Sequence, residues 1–225
     1  SSVKPDDLEP YIAAYLASLP GGRRTESWRD TGMRLPKTRI ERTVKAGIER
    51  KSLVSLNFTG DFTWSHDELR KLDVLREYLD LRLREVLRED QGGTYGVSVD
   101  VEAYRHPAGE YSVGISFGAD PDRAGELAKA ALAEIERLKT VPAAETDAAK
   151  IREQNFRLYE RVLKENGFHL NALRTIFHHD LPGNLIETRP DFIRSITPAM
   201  LRETLANYLE PGRLVKVILL PADAE

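Results

Sequence analysis

Between positions 84 and 97 the chain reads Arg84-Glu85-Val86-Leu87-Arg88-Glu89-Asp90-Gln91-Gly92-Gly93-Thr94-Tyr95-Gly96-Val97. A helical run with basic residues on its last turns breaks at a double glycine, and a strand then opens with Tyr95. Arg88 is permanently charged, Tyr95 is polar but neutral at pH 7, and both donate hydrogen bonds. Brought together above the turn, they can hold a peptide carbonyl or the oxyanion that develops from it. On the residues alone a structural role is the favoured reading: Arg88 complements the negative end of a helix dipole, and Tyr95 packs on the apolar face of its strand.

The rest of the chain holds little other chemistry. The five histidines are His66, His106, His169, His178 and His179, and none is followed four residues later by another. The pair of imidazoles one helical turn apart that a hydrolytic zinc site needs is therefore missing, in the forward and the inverted motif alike. His178 and His179 are adjacent, so their side chains point about 100° apart on a helix. They read as a helix-end pair beside a favourable dipole rather than a metal site. No Gly-x-Ser-x-Gly elbow, phosphate loop or dinucleotide fingerprint occurs, and Gly92-Gly93 with Gly96 leads into a strand rather than a helix. Glu89-Asp90 and Asp120 with Asp122 read as surface carboxylates. The absence of cysteine excludes disulfides, Cys-ligated zinc and a thiol nucleophile.

With 225 residues, 41% hydrophobic and 31% charged, the chain reads as one large globular domain, or one domain with a fragment of another. A net charge of -3 without blocks of like charge gives no sign of a nucleic-acid partner. No run approaches the roughly 18 apolar residues of a membrane span. A cysteine-free chain suits the periplasm and the cytoplasm equally. The opening Ser1-Ser2-Val3-Lys4-Pro5 has neither an initiator Met nor a signal peptide, and reads as a piece of a longer protein.

The elements that must position Arg88 and Tyr95 follow from local pattern. A first helix is expected over residues 5–18, with Pro5 in its first turn, Asp6 and Asp7 at its positive end, and a stop at Pro20-Gly21-Gly22. Residues 21–36 read as a linker anchored by Trp28. Strands follow, clearest where Val54, Leu56 and Phe58 alternate with Ser55 and Asn57, with 40–44 as a weaker partner. Ser65 and Glu68 form a capping box for a long helix ending near Asp90, with an apolar stripe from Leu69 to Val86. A hairpin comes next, Tyr95 to Ala103 returning through Tyr111 to Phe117, and its second strand carries a face of small residues, Ser112, Gly114, Ser116 and Gly118. Asp120-Pro121 is expected to start a helix to about Lys139. Helices follow over 143–166, 168–180 and 197–208, and a strand over 214–220 closes the chain. The pattern is α+β, an antiparallel sheet with helices packed on one side.

Leu87-Arg88-Glu89 followed by Thr94-Tyr95-Gly96-Val97 resembles the second-half signature of the pitrilysin and insulin-degrading-enzyme family of zinc peptidases, in particular bacterial PQQ-processing-like proteases. The opening helix through Leu19-Pro20 and the helical run before the last strand are similar to that family as well. The resemblance implies a processing-peptidase-like domain from the C-terminal, zinc-free half of such an enzyme. Residues 1–20 would be the trailing helix of the preceding domain, 21–36 a linker and 37–225 the domain itself. It further implies that zinc belongs to an N-terminal half, in the same chain or in a partner subunit, and that this segment alone is inactive. Arg88 and Tyr95 would be its substrate-binding residues, reaching a peptide across the chamber between the halves. The alternative implied by the same fold is a catalytically silent structural or partner subunit.

Overall fold

The computed structural model describes residues 3–21, 27–90, 94 and 96–222, with the backbone alone for 88–90. The chain divides into two compact units, one of residues 1–29 with 157–189, the other of residues 30–156 with 190–225.

The larger unit is built on five strands: β1 (Ile40–Lys45), β2 (Ser52–Asp61), β3 (Val97–Tyr104), β4 (Glu110–Ala119) and β5 (Leu214–Leu220), in the spatial order β1-β5-β2-β4-β3. All neighbours are antiparallel except β1 and β5, which run parallel. Alternation decides which face is covered. Val54, Leu56 and Phe58 of β2 and Val113, Ile115 and Phe117 of β4 are buried together, with Leu56 opposite Ile115.

Against that face lie α2 (His66–Arg84), α3 (Ala124–Thr140) and α7 (Pro198–Tyr208). Each brings an apolar stripe, Leu72, Leu75, Leu79 and Leu83 from α2, Leu127, Ala131 and Leu138 from α3, Leu201 and Leu205 from α7. The core is therefore a sheet face under helices, which is the α+β arrangement expected from the pattern. The first turns of α4 (Glu145–Val162) join it, where Asn155 Nδ2 donates a 2.5 Å hydrogen bond to Glu77 of α2.

In the smaller unit α1 (Pro5–Ile12) continues as a π-helical turn over Ala13–Ala17. All of the described residues from Val3 to Gly21 are exposed, including Tyr15 at 72%. The apolar spacing that predicts this helix does not mark a buried face here. The last turns of α4 and α5 (Asn166–His179) complete the unit with Arg189, whose guanidinium sits 5.7 Å over the Phe168 ring.

Several expectations need correction. Trp28 is 54% exposed and anchors nothing by burial. The segment is held instead near Leu35, whose amide donates to Glu110 Oε1 at 3.2 Å, and by Pro36, whose carbonyl accepts from the Thr59 hydroxyl. β1 does not pair with β2, because β5 lies between them. Asp120-Pro121 forms a turn in which Asp120 Oδ1 accepts from the Asp122 amide, and α3 starts only at Ala124. The short helix α6 (Arg189–Arg194) has no strong pattern in the sequence.

Candidate functional site

The end of α2 is set by packing and by charge. Ser65 caps its start by accepting from the Glu68 amide at 3.1 Å. Its inner stripe runs through Leu75, Leu79 and Leu83 and continues one turn past the end of the α-helix to Leu87, which is fully buried. From Glu85 to Asp90 the backbone winds as a π-helix. Such widened turns are rare and recur at functional sites, because the extra residue changes which direction the following side chains take.

Arg88 is the fourth residue of this π-helical segment and directly follows the buried Leu87. Its side chain and the whole of Tyr95 lie outside the described residues. What is described on both sides is firm. On the strand side, the Thr94 hydroxyl donates to the Gly118 carbonyl at 2.6 Å and accepts from the Gly96 amide at 3.3 Å, which ties the entry of β3 to the far end of β4. On the helix side, the basic residues of the last turn are committed to neighbouring carboxylates. Arg84 pairs with Asp80 at 2.7 Å, and Arg82 Nη1 pairs with Glu85 at 2.6 Å.

Next to this end lies a group that the sequence reading missed. Glu134 of α3 is only 6% exposed and accepts two 2.7 Å hydrogen bonds from Arg137, with Arg82 Nε at 3.4 Å. Donating to Glu134 raises the Arg137 pKa. Asp147 of α4 lies 3.9 Å from Arg82. Tyr78 is buried beneath them, and burial, aided by Asp147, pushes its phenol up to about 12. The signal was present in the spacing: positions 127, 131, 134 and 138 form one helical stripe, and a carboxylate takes the place of an apolar residue in it.

The small-residue face of β4 is the open face of the sheet. With Ser55, Asn57, Asp100 and Glu102 it forms a shallow depression of about 240 Å³. Asp100 accepts from Ser98 at 3.1 Å and Glu102 from Tyr104 at 2.5 Å, so both carboxylates are already engaged along their own strand. His178 and His179 end α5 with their rings 4.6 Å apart, edge to face. Among the described residues no group of three or more His, Asp or Glu side chains is placed to hold a metal ion. Among the same residues no helix is long and apolar enough to cross a membrane.

A family model described as the peptidase M16 inactive domain matches residues 1–155. Among solved structures, the ferredoxin protease FusC, in a complex with Arabidopsis ferredoxin, is 21% identical with a TM-score of 0.80, covering 99% of this chain and 24% of that one. The periplasmic protease PqqL from Escherichia coli is likewise 21% identical with a TM-score of 0.78, covering 98% and 24%. A peptidase M16 inactive domain from Pseudomonas fluorescens is 17% identical with a TM-score of 0.78, covering 99% and 53%. The chain therefore spans about a quarter of the length of the first two and about half of the third. These likenesses show a shared fold. No curated protein matches the chain.

Proposed function

The chain belongs to the peptidase M16 inactive-domain family, and we propose that it is the C-terminal, substrate-binding part of a zinc metallopeptidase that cleaves peptides or small proteins. The observation that carries this reading is the family match, and the place of Arg88 in the π-helical segment that ends the long helix supports it.

In this reading the described residues here are not the metal's ligands, and zinc bound by the N-terminal half supplies an activated water for attack on the scissile carbonyl. Arg88 and Tyr95 do the work of this segment. The guanidinium offers a fixed positive charge and a fork of N–H donors, and the phenol a neutral O–H. Together they hold the scissile carbonyl in line and stabilise negative charge as it develops on oxygen. Donors from a facing domain complete the arrangement only when the two halves close on the peptide. A segment that contributes donors but no nucleophile is inactive by itself.

The same reading assigns residues 1–20 to the preceding domain as its trailing helix, 21–36 to a linker and 37–225 to the domain proper. The exposure of Tyr11 on α1 and of Tyr15 and Leu16 on the π-helical turn after it supports it, because exposed apolar surface of this kind is often covered by a neighbour. The cover in this case is the N-terminal half.

The direct test is Tyr95→Phe in the enzyme assembled with its zinc-bearing half. Turnover is expected to fall about 100-fold or more, as for loss of one oxyanion donor, with the melting temperature unchanged. An unchanged rate would remove Tyr95 from the site.

A further inference from the structure

We propose that the outer face of α5 is a docking surface for the N-terminal, zinc-bearing half: Leu170, Leu173 and Phe177 form its apolar strip, and Arg174 on the rim meets a carboxylate of that half. The proposal rests on the reading of this chain as one part of a two-part peptidase.

α5 carries apolar residues on both of its faces. At about 100° per residue, Phe168, Ala172 and Ile176 fall on one side of the helix, and Leu170, Leu173 and Phe177 on the opposite side. The first side turns inward. Phe168 packs edge to face on Tyr159 of α4, with ring centroids 6.4 Å apart, and carries the Arg189 guanidinium over its ring. The second side is uncovered among the described residues: Leu170 and Leu173 are more than half exposed, and Phe177 is 83% exposed. A helix that is apolar all round is normally buried all round. Apolar residues scattered singly need no such account, whereas three in one strip make a continuous patch.

Shape and charge narrow the partner. A depression of about 780 Å³ runs along the strip, and α5 supplies all of its described lining. Small-molecule sites are enclosed on several sides; a depression with a single wall suits the ridge of a globular partner. Arg174, four residues after Leu170 and three before Phe177, stands exposed at the edge of the strip with a permanent charge. That is the place of a polar rim around an apolar interface core, and it calls for a carboxylate opposite. The same compact unit contains α1, whose exposed apolar residues the proposed function already places against the N-terminal half. Docking on α5 extends that contact within one unit and requires no further partner. A second copy of this chain fits worse. Arg174 lies midway along the strip, so antiparallel packing of α5 on its own copy would bring two guanidinium groups together, and like charges side by side oppose association.

The test uses the absence of cysteine, which makes an introduced thiol unique in this chain. Phe177→Cys and, separately, Leu173→Cys are alkylated with iodoacetamide in the chain alone and in the enzyme assembled with its zinc-bearing half, and labelling of the α5 peptide is read by mass. Both thiols should react freely in the chain alone and at least about 10-fold more slowly in the assembly, as for a thiol withheld from solvent in an interface core. Adding Arg174→Glu to Phe177→Cys should bring the rate in the assembly closer to the rate of the same variant alone, because a like-charge contact now opposes docking. Equal rates alone and in the assembly would overturn the proposal, and so would an Arg174→Glu without effect. Slow labelling of the chain alone that deepens with its concentration would put a second copy on α5 instead, and slowing only on addition of a peptide would put the substrate there; either overturns it. If Phe177→Cys does not fold, Leu170→Cys is read by the same criteria. Hydrolysis that depends on this chain while α5 labels equally in both states removes the docking surface and leaves the proposed function. Failure of the two parts to assemble removes both.

Discussion

The phenol of Tyr208, the last residue of α7, donates a 2.5 Å hydrogen bond to Oε2 of Glu68 in the first turn of α2, across 140 residues of sequence. Glu68 also accepts from Lys71 at 2.5 Å. Burial raises the Glu68 pKa, but the bonds from Lys71 and Tyr208 outweigh it, and the carboxyl sits below its ordinary value. A carboxyl lowered on folding stabilises the fold fully above its unfolded pKa of about 4.3, and that contribution is lost as pH falls through the folded value.

Tyr208→Phe should therefore cost about 1–2 kcal/mol near neutral pH, toward the lower end for a bond to a charged group because Glu68 is part-exposed. The cost should shrink as the pH falls from the unfolded pKa through the lowered folded value, below which the carboxyl is protonated in both states. Urea unfolding of both proteins at several pH values checks this. A difference that does not change with pH would mean that the bond to the carboxylate is not what Tyr208 contributes.

Two glycines should respond in opposite directions to alanine. A Cβ on Gly109 would stand 2.1 Å from the Phe62 carbonyl oxygen, in the same stretch where the Phe62 amide donates to the Gly109 carbonyl at 2.8 Å. Backbone cannot yield as a flexible side chain does, so Gly109→Ala should destabilise by about 1–3 kcal/mol. Gly125, near the start of α3, has nothing within 4 Å of its would-be Cβ. Gly125→Ala should stabilise by about 0.5–1 kcal/mol, through the smaller backbone entropy lost on folding. Thermal melts of the two variants give the comparison, and equal shifts of the same sign would contradict it.

Elements that declare themselves locally were legible. The β3–β4 hairpin follows strict alternation, and α7 is framed by Thr197, whose hydroxyl accepts from the Met200 amide at 3.2 Å. The site's frame was legible for the same reason: a helix, a double glycine and a strand stand next to one another in sequence. Long-range choices were not. β1 pairs in parallel with β5, Ile40 opposite Val215, and nothing within 40–45 selects a strand so far away. Ser65 caps α2 as the capping box predicts, but the Glu68 carboxylate turns to Tyr208 and Lys71, partners that only the fold and the helix face supply. Glu134 was hidden because a carboxylate in an apolar stripe looks like an ordinary helix former until its two arginine partners are in place.

The central claim is that this segment completes a peptidase without containing its catalytic centre, and peptide hydrolysis tests it most directly. Three samples with zinc suffice: this chain alone, the zinc-bearing half alone, and the two together. The account predicts little or no activity in either alone and robust cleavage in the mixture. Cleavage by this chain alone would contradict it by revealing a catalytic site within these 225 residues. Full activity of the zinc-bearing half without this chain, or silence in all three, would contradict the substrate-binding role and leave a silent structural partner in its place.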